Sequence, residues 1–276
     1  MKELYKYIQA LSLDVAFGAT VMSAFVAHFI GVFVPFSIYF SLFMAVWLIY
    51  TIDHLIDASK LKSDKATFRH SFHQKYFKQL TIFWIAMFLF GVFYSMFLPF
   101  ETRKVGFIAS ALVIVHLVLV YLLGSKISIF IQKELGIAFT YCVGIAVGPV
   151  SLSDGLDGFG YFFMGQIFIL ALINLLEFSW FDRKVDKKQG HSSAVLNLGE
   201  KLVVELIFFF FALFVLSLVL SFLFYPQYGR HEMVLGLMGV VLFAIIAFQK
   251  YFASKERYRI FGDLIFMFPL IILLTA

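Results

Sequence analysis

The sequence predicts an all-α polytopic membrane protein with nine transmembrane helices, the N-terminus cytoplasmic and the C-terminus outside. Three observations carry this expectation. Hydrophobic residues make up 62% of the chain and charged ones only 14%, against roughly 45–50% and about 25% in soluble domains, so polar surface is too scarce to face water all round. Apolar runs of roughly 20 residues, the length a bilayer demands, recur along the whole chain. Lys and Arg gather in alternate connections, as cytoplasmic loops require.

The first run, 12–34, follows Met1-Lys2-Glu3-Leu4-Tyr5-Lys6 and leads to no small-residue cleavage site, so it reads as a spanning helix and not a removable leader. It stops at Pro35. The second, 36–56, gives way to a basic stretch from Lys60 to Lys78. The third, 79–99, closes at Pro99 to Arg103, and the fourth, 104–124, at Gly124 to Lys126. Spans at 131–151, 159–181, 202–225, 232–252 and 259–275 follow. They are separated by Ser153–Gly158, Arg183–Lys201, Pro226–Arg230 and Lys255–Arg259. No linker is long enough to divide the chain into domains, so residues 1–276 read as a single domain.

With the N-terminus placed inside, all but three of the 22 Lys and Arg residues fall on the cytoplasmic side, the exceptions being Arg103, Lys104 and Arg230. A miscounted helix would scramble that alternation. The net charge of +5 is therefore a topology signal. It implies a lipid bilayer as partner and no nucleic acid. The single cysteine, Cys142, cannot form an internal disulfide.

Carboxylates at the edge of a membrane are costly and usually functional. The second span ends Tyr50-Thr-Ile-Asp53-His54-Leu-Ile-Asp57, and the sixth ends Asn174-Leu-Leu-Glu177-Phe-Ser-Trp-Phe-Asp182-Arg183-Lys-Val-Asp186. Each holds Asp-x-x-x-Asp, which puts two carboxylates on one helix face. Both lie at cytoplasmic ends of even-numbered spans and so share one membrane level. Four such charges near low dielectric need counter-charge. Mg²⁺ prefers oxygen ligands and bridges carboxylates to substrate phosphates, so two facing Asp pairs read as a clamp for a Mg²⁺–diphosphate.

In these features the chain resembles the UbiA superfamily of intramembrane prenyltransferases. That family has nine helices, Asn-x-x-x-Asp-x-x-x-Asp on the second and Asp-x-x-x-Asp on the sixth. Asp53 and Asp57 match the first motif; Asp182, Arg183, Asp186 and the trailing Gly190 match the second. Lys133 ahead of Gly144-Ile-Ala-Val-Gly148 matches a basic residue on the fifth helix. One position departs: the family's Asn is Ile49 here, with Tyr50 beside it. The resemblance implies a UbiA-like helical bundle with a cytoplasm-facing central cavity. It implies Mg²⁺-dependent transfer of an isoprenoid chain from a polyprenyl diphosphate to a lipophilic, aromatic or lipid acceptor. Asp53, Asp57, Asp182 and Asp186 would be the metal-binding and catalytic residues.

Basic residues should hold a diphosphate, and Arg69, Lys133 and Arg183 are the candidates; in the resembled family the loop bearing Arg69 caps the site. Tyr50, His54, Asn174 and Glu177 are candidates for contacting the acceptor or supporting the metal shell, with Glu177 either a general base or a partner of Lys133. His70 and His73 lack further ligands for a closed zinc site. Asp14 and Asp263 start helices, where a carboxylate suits the dipole. The larger share of the 38 Phe residues reads as lipid-facing bulk, and the rest as candidates for lining a prenyl tunnel, where ring faces would stabilise an allylic cation; sequence does not sort the two. Two other readings stand beside this one: a transporter whose aspartates form a cation site, and a family member that binds isoprenoids without catalysis. A CDP-alcohol phosphotransferase does not fit, because Asp53-His-Leu-Ile-Asp57-Ala has the wrong spacing. Without an organelle-targeting segment, a bacterial or archaeal inner membrane is the expected location.

Overall fold

A computed structural model describes residues 2–60, 68–123, 133–189 and 192–275. Lys62, Lys65, Lys126 and Gly190 lie outside these ranges. The described chain runs α1 (Lys2–Ala10), α2 (Leu13–Ile30), α3 (Phe36–Lys60), α4 (Phe68–Lys75), α5 (Phe77–Ser95), α6 (Phe100–Leu123) and α7 (Lys133–Ser151). It continues with α8 (Gly158–Gln189), α9 (Ala194–Leu198), α10 (Glu200–Phe224), α11 (Gly229–Ala247), α12 (Gln249–Ala253), α13 (Arg257–Leu264) and α14 (Leu270–Leu273). No strand occurs among the described residues.

Seven stretches are long and apolar enough to cross a bilayer: α2, α3, α5, α7, α8, α10 and Pro226–Ala247. The protein is an integral membrane protein. The seven coincide with seven of the nine expected spans. The expected span 104–124 falls on α6, and 259–275 is divided between α13, a 3₁₀ turn at Ile265–Met267 and α14. Pro269, the residue before α14, explains some of that division, since proline lacks the N–H that a continuous helix needs. The expected 232–252 run is likewise cut at Phe248, between α11 and α12.

Helix ends follow local chemistry. α2 stops at Gly31, whose φ of 75° is the left-handed conformation glycine favours and whose N–H returns to the carbonyls of Ala27 and His28. α8 has 32 residues, so it is about 48 Å long and outruns a hydrocarbon layer of about 30 Å. Its last two turns carry Asp182 and Asp186 past the apolar stretch.

The core is built around α8. Phe163, Ile167, Leu170 and Ile173 are fully buried there, against Met22 and Phe25 of α2, Ile145 of α7, Ile207 of α10 and Leu235, Met238 and Leu242 of α11. Between membrane helices such packing rests on van der Waals fit and small residues, because lipid tails are as apolar as the side chains. Gly262 is one such residue: a Cβ there would lie 2.4 Å from Asn174 Oδ1 and 2.6 Å from Phe178 Cε1. Only glycine lets α13 approach α8 so closely. α5 buries none of its residues; it is held to α3 by Trp84, whose indole N–H donates to the Leu48 carbonyl at 2.8 Å.

Candidate functional site at the motif end of the bundle

The start of α2, the ends of α3 and α8, and the start of α13 meet at one end of the bundle, with α4 laid across. α4 is fixed on both sides. Gln74 donates to the Ala58 carbonyl of α3 at 3.1 Å, and Phe68 and Phe72 pack edge-on against Tyr7 of α1, each with centroids 5.8 Å apart. The His73 Nδ1–H donates to the Arg69 carbonyl at 2.9 Å. Burial pushes the His73 imidazole below its ordinary pKa, keeping it neutral, with the Arg69 charge adding to that effect.

This placement brings Arg69 within electrostatic reach of both motif helices. Its electrostatic partners are Asp182 of α8, Asp53 of α3, Asp263 of α13 and, with like charge, Arg259. Withdrawal from water is the largest influence on its guanidinium and pushes its pKa down, Arg259 pushes it further, and the carboxylates oppose both. Arginine does not shed its proton, so Arg69 remains a partly desolvated cation among carboxylates of three helices.

Asp182 is engaged on both oxygens. The Tyr258 hydroxyl donates to Oδ1 and the Arg259 guanidinium to Oδ2. Asp53, Asp57 and Asp186 are all half-buried. Tyr50 lies in the electrostatic field of Asp263, Asp53, Arg69 and Asp14. Asp14 bonds to Tyr5 of α1, and burial, with the charges of Asp14 and Asp263, raises the Tyr5 phenol well above its ordinary pKa. Asp14 lies in the first turn of α2, as expected, whereas Asp263 falls near the end of α13 and not at a helix start; both also belong to this charged group. Tyr258 and Arg259 were not singled out in the sequence; Arg259 read as one more basic residue in a loop.

The remaining expected residues fall partly inside and partly outside this group. Arg183 pairs with Glu200 of α10 at 3.1 Å and lies 4.1 Å from the Trp180 ring centre, bracing α8 against α10. Lys133 opens α7 beside Glu134 and His116. Glu177 does not pair with Lys133: it is fully buried, and neither carboxylate oxygen has a hydrogen-bond partner among the described residues. It is Glu134 that has a structural partner, accepting from the Ala194 N–H at the start of α9 at 2.7 Å. Asn174 is buried, and its Oδ1 has no hydrogen-bond partner among the described residues. His54 is buried, 3.1 Å from the Ser12 hydroxyl, with its ring 5.2 Å from that of His73.

The described residues offer no group of three or more His, Cys, Asp or Glu side chains able to hold a metal unaided. Two half-buried carboxylates one helical turn apart, on each of two helices, nevertheless fit Mg²⁺, which takes oxygen donors and completes its shell with water and phosphate. Beside the site an apolar groove of about 580 Å³ runs between α3, α4 and α5 and past the α1–α2 junction, lined by Leu11, Phe40, Trp47, Phe72, Leu80 and Phe83 among others. That volume is in the range of small-molecule pockets.

The opposite end of the bundle holds a second polar group. His28 Nδ1 and His231 Nε2 lie 2.9 Å apart. Gln166 donates to Glu232 Oε2 at 2.9 Å and to the Ser217 hydroxyl at 3.3 Å. Stacked rings cover them: Phe29 on Phe163 and Phe159 on Tyr225, each with centroids 3.9 Å apart.

Over 98% of its own length the chain is similar to a solved structure described as a digeranylgeranylglyceryl phosphate synthase in membranes, covering 98% of that chain with a TM-score of 0.55 and 14% identity. The likeness shows a shared fold. No protein-family model matches the sequence, and no curated protein matches it.

Proposed function

We propose that this protein is an intramembrane prenyltransferase of the UbiA type, moving an isoprenoid chain from a polyprenyl diphosphate to a lipophilic acceptor, aromatic or lipid. The observation that carries the reading is that Arg69 is electrostatically coupled to both Asp53 and Asp182. It makes the ends of two separate helices members of one charged group, in a fold shared with a synthase that by its description handles a geranylgeranyl lipid. Asp53, Asp57, Asp182 and Asp186 would hold Mg²⁺, which when bound supplies counter-charge for the diphosphate. Arg69 takes diphosphate oxygens, with Lys133 from the start of α7 as a second donor. The isoprenoid tail occupies the apolar groove beside α3 and α5.

The allylic C–O bond breaks with its electron pair leaving on the diphosphate. The acceptor nucleophile then donates an electron pair to the allylic carbon and loses its proton. Tyr50 faces this space from α3. Glu177 and Asn174, with oxygens that no donor among the described residues satisfies, lie deeper on α8 as candidates for meeting the acceptor. Arg183, committed to Glu200, has a bracing role.

The test is binding followed by turnover. A non-hydrolysable prenyl diphosphate should raise the thermal stability of the purified protein in Mg²⁺ and not in EDTA, and radiolabelled prenyl diphosphate should label a component of a lipid extract. Equal stabilisation with and without metal, and no labelled product, would sink the proposal.

A further inference from the structure

We propose that Arg259 is a resident counter-cation for the second aspartate motif, paired with Asp182 and passing to phosphate oxygens when a metal-bound diphosphate is loaded. This inference rests on the prenyltransferase reading above.

Four observations lead to it. First, both Asp182 oxygens already carry a donor, Tyr258 on Oδ1 and Arg259 on Oδ2. A metal ion approaching Oδ2 must compete with the guanidinium. Second, the pair is not sealed: the side chains of Arg259 and Asp182 keep 23% and 17% of their exposure, so exchange needs no opening of the core. Third, Arg259 and Arg69 are neighbours of like charge, and an anion placed between them relieves both. Fourth, Arg259 has somewhere to rest once it leaves Asp182. Its guanidinium lies 5.3 Å from the Phe178 ring centre and 5.8 Å from that of Tyr258, within cation–π range. The backbone fixes this geometry, since Lys255 and Glu256, immediately before α13, both adopt left-handed φ values of 59° and 53°, and Gly262 seats the same helix on α8.

Partner exchange predicts effects of opposite sign. Full-length Arg259→Met, in detergent, should bind Mn²⁺ alone more tightly than wild type by about tenfold, read by electron paramagnetic resonance, because a competing cation is gone. It should bind inorganic pyrophosphate in Mg²⁺ more weakly, again by about tenfold, read by calorimetry. Arg259→Lys, which keeps the charge but not the fork, should fall between. Asp182→Asn provides a separate arm: it releases Arg259, so pyrophosphate without metal should bind more tightly than to wild type. A merely structural Arg259 would weaken both ligands together, and an idle one would change neither; each result overturns the proposal. If wild type binds pyrophosphate in Mg²⁺ while the Arg259 variants match it, only this inference fails. If wild type binds neither pyrophosphate nor prenyl diphosphate with any metal, the prenyltransferase reading fails and takes this one with it.

Discussion

The two ends of the bundle carry comparable polar groups under opposite conditions. At the far end Glu232 is fully buried and Gln166 nearly so, their bonds run to each other and to Ser217, and stacked aromatic rings close over the neighbouring histidines. At the motif end Asp182 and Arg259 pair directly yet keep some of their surface in contact with solvent, and Arg69 lies within electrostatic reach of both. Polar groups withdrawn from water and bonded to one another rigidify a fold, and the far end stays closed although Gln166 Oε1 and Glu232 Oε1 have no hydrogen-bond partner among the described residues. Charged groups that keep access to solvent can change partners. Access, more than burial or pairing, therefore separates the two ends.

Substitutions should separate the two ends sharply. Asp53→Ala or Asp182→Ala should lower prenyl transfer by about a thousandfold while the protein still inserts and unfolds near the wild-type temperature; full turnover in both would erase the distinction. Gly262→Ala forces a methyl group against Asn174 and Phe178, and overpacking of this kind costs about 1–3 kcal/mol. Because it displaces α13, it should reduce both stability and pyrophosphate affinity. Glu232→Leu strips Gln166 of its acceptor at the far end, a loss of about 1–3 kcal/mol visible in denaturant unfolding, with transfer per folded molecule unchanged. The smallest effect concerns pH. His73 is held neutral by burial, so its folded pKa lies below its unfolded one. The stability it supports is present above the ordinary imidazole range and is lost as pH falls through the depressed value. One proton gives a slope of at most about 1.4 kcal/mol per pH unit. His73→Gln should flatten that slope between pH 7 and 5; an unchanged profile would assign it to other groups.

The sequence made some of this legible and hid the rest for identifiable reasons. Asp-x-x-x-Asp spacing is local, so both motifs and the helices bearing them were readable, and apolar length located seven stretches that the fold also makes membrane-crossing. Arg69 stood out through its loop position. Arg259 did not, because a basic residue at a helix start looks the same whether it faces lipid headgroups or a carboxylate 77 positions earlier in the chain. Asp14 and Asp263 were concealed by the same ambiguity, since a dipole explanation was available for each. Arg183 adjoins Asp182 in sequence, but consecutive residues on a helix point about 100° apart, and it turns to Glu200 instead. Glu177 and Lys133 failed as a pair because opposite charge says nothing of depth.

The groove between α3 and α5 has a consequence for how such a protein would be measured. α5 buries no side chain, so a molecule in that groove has an outer helix facing lipid for its neighbour, and its source is the surrounding leaflet. Its occupancy then follows the mole fraction of that molecule among the lipids and not its amount per litre. Diluting vesicles with buffer should leave half-saturation unchanged, whereas diluting the same substrate with inert phospholipid should shift it in proportion.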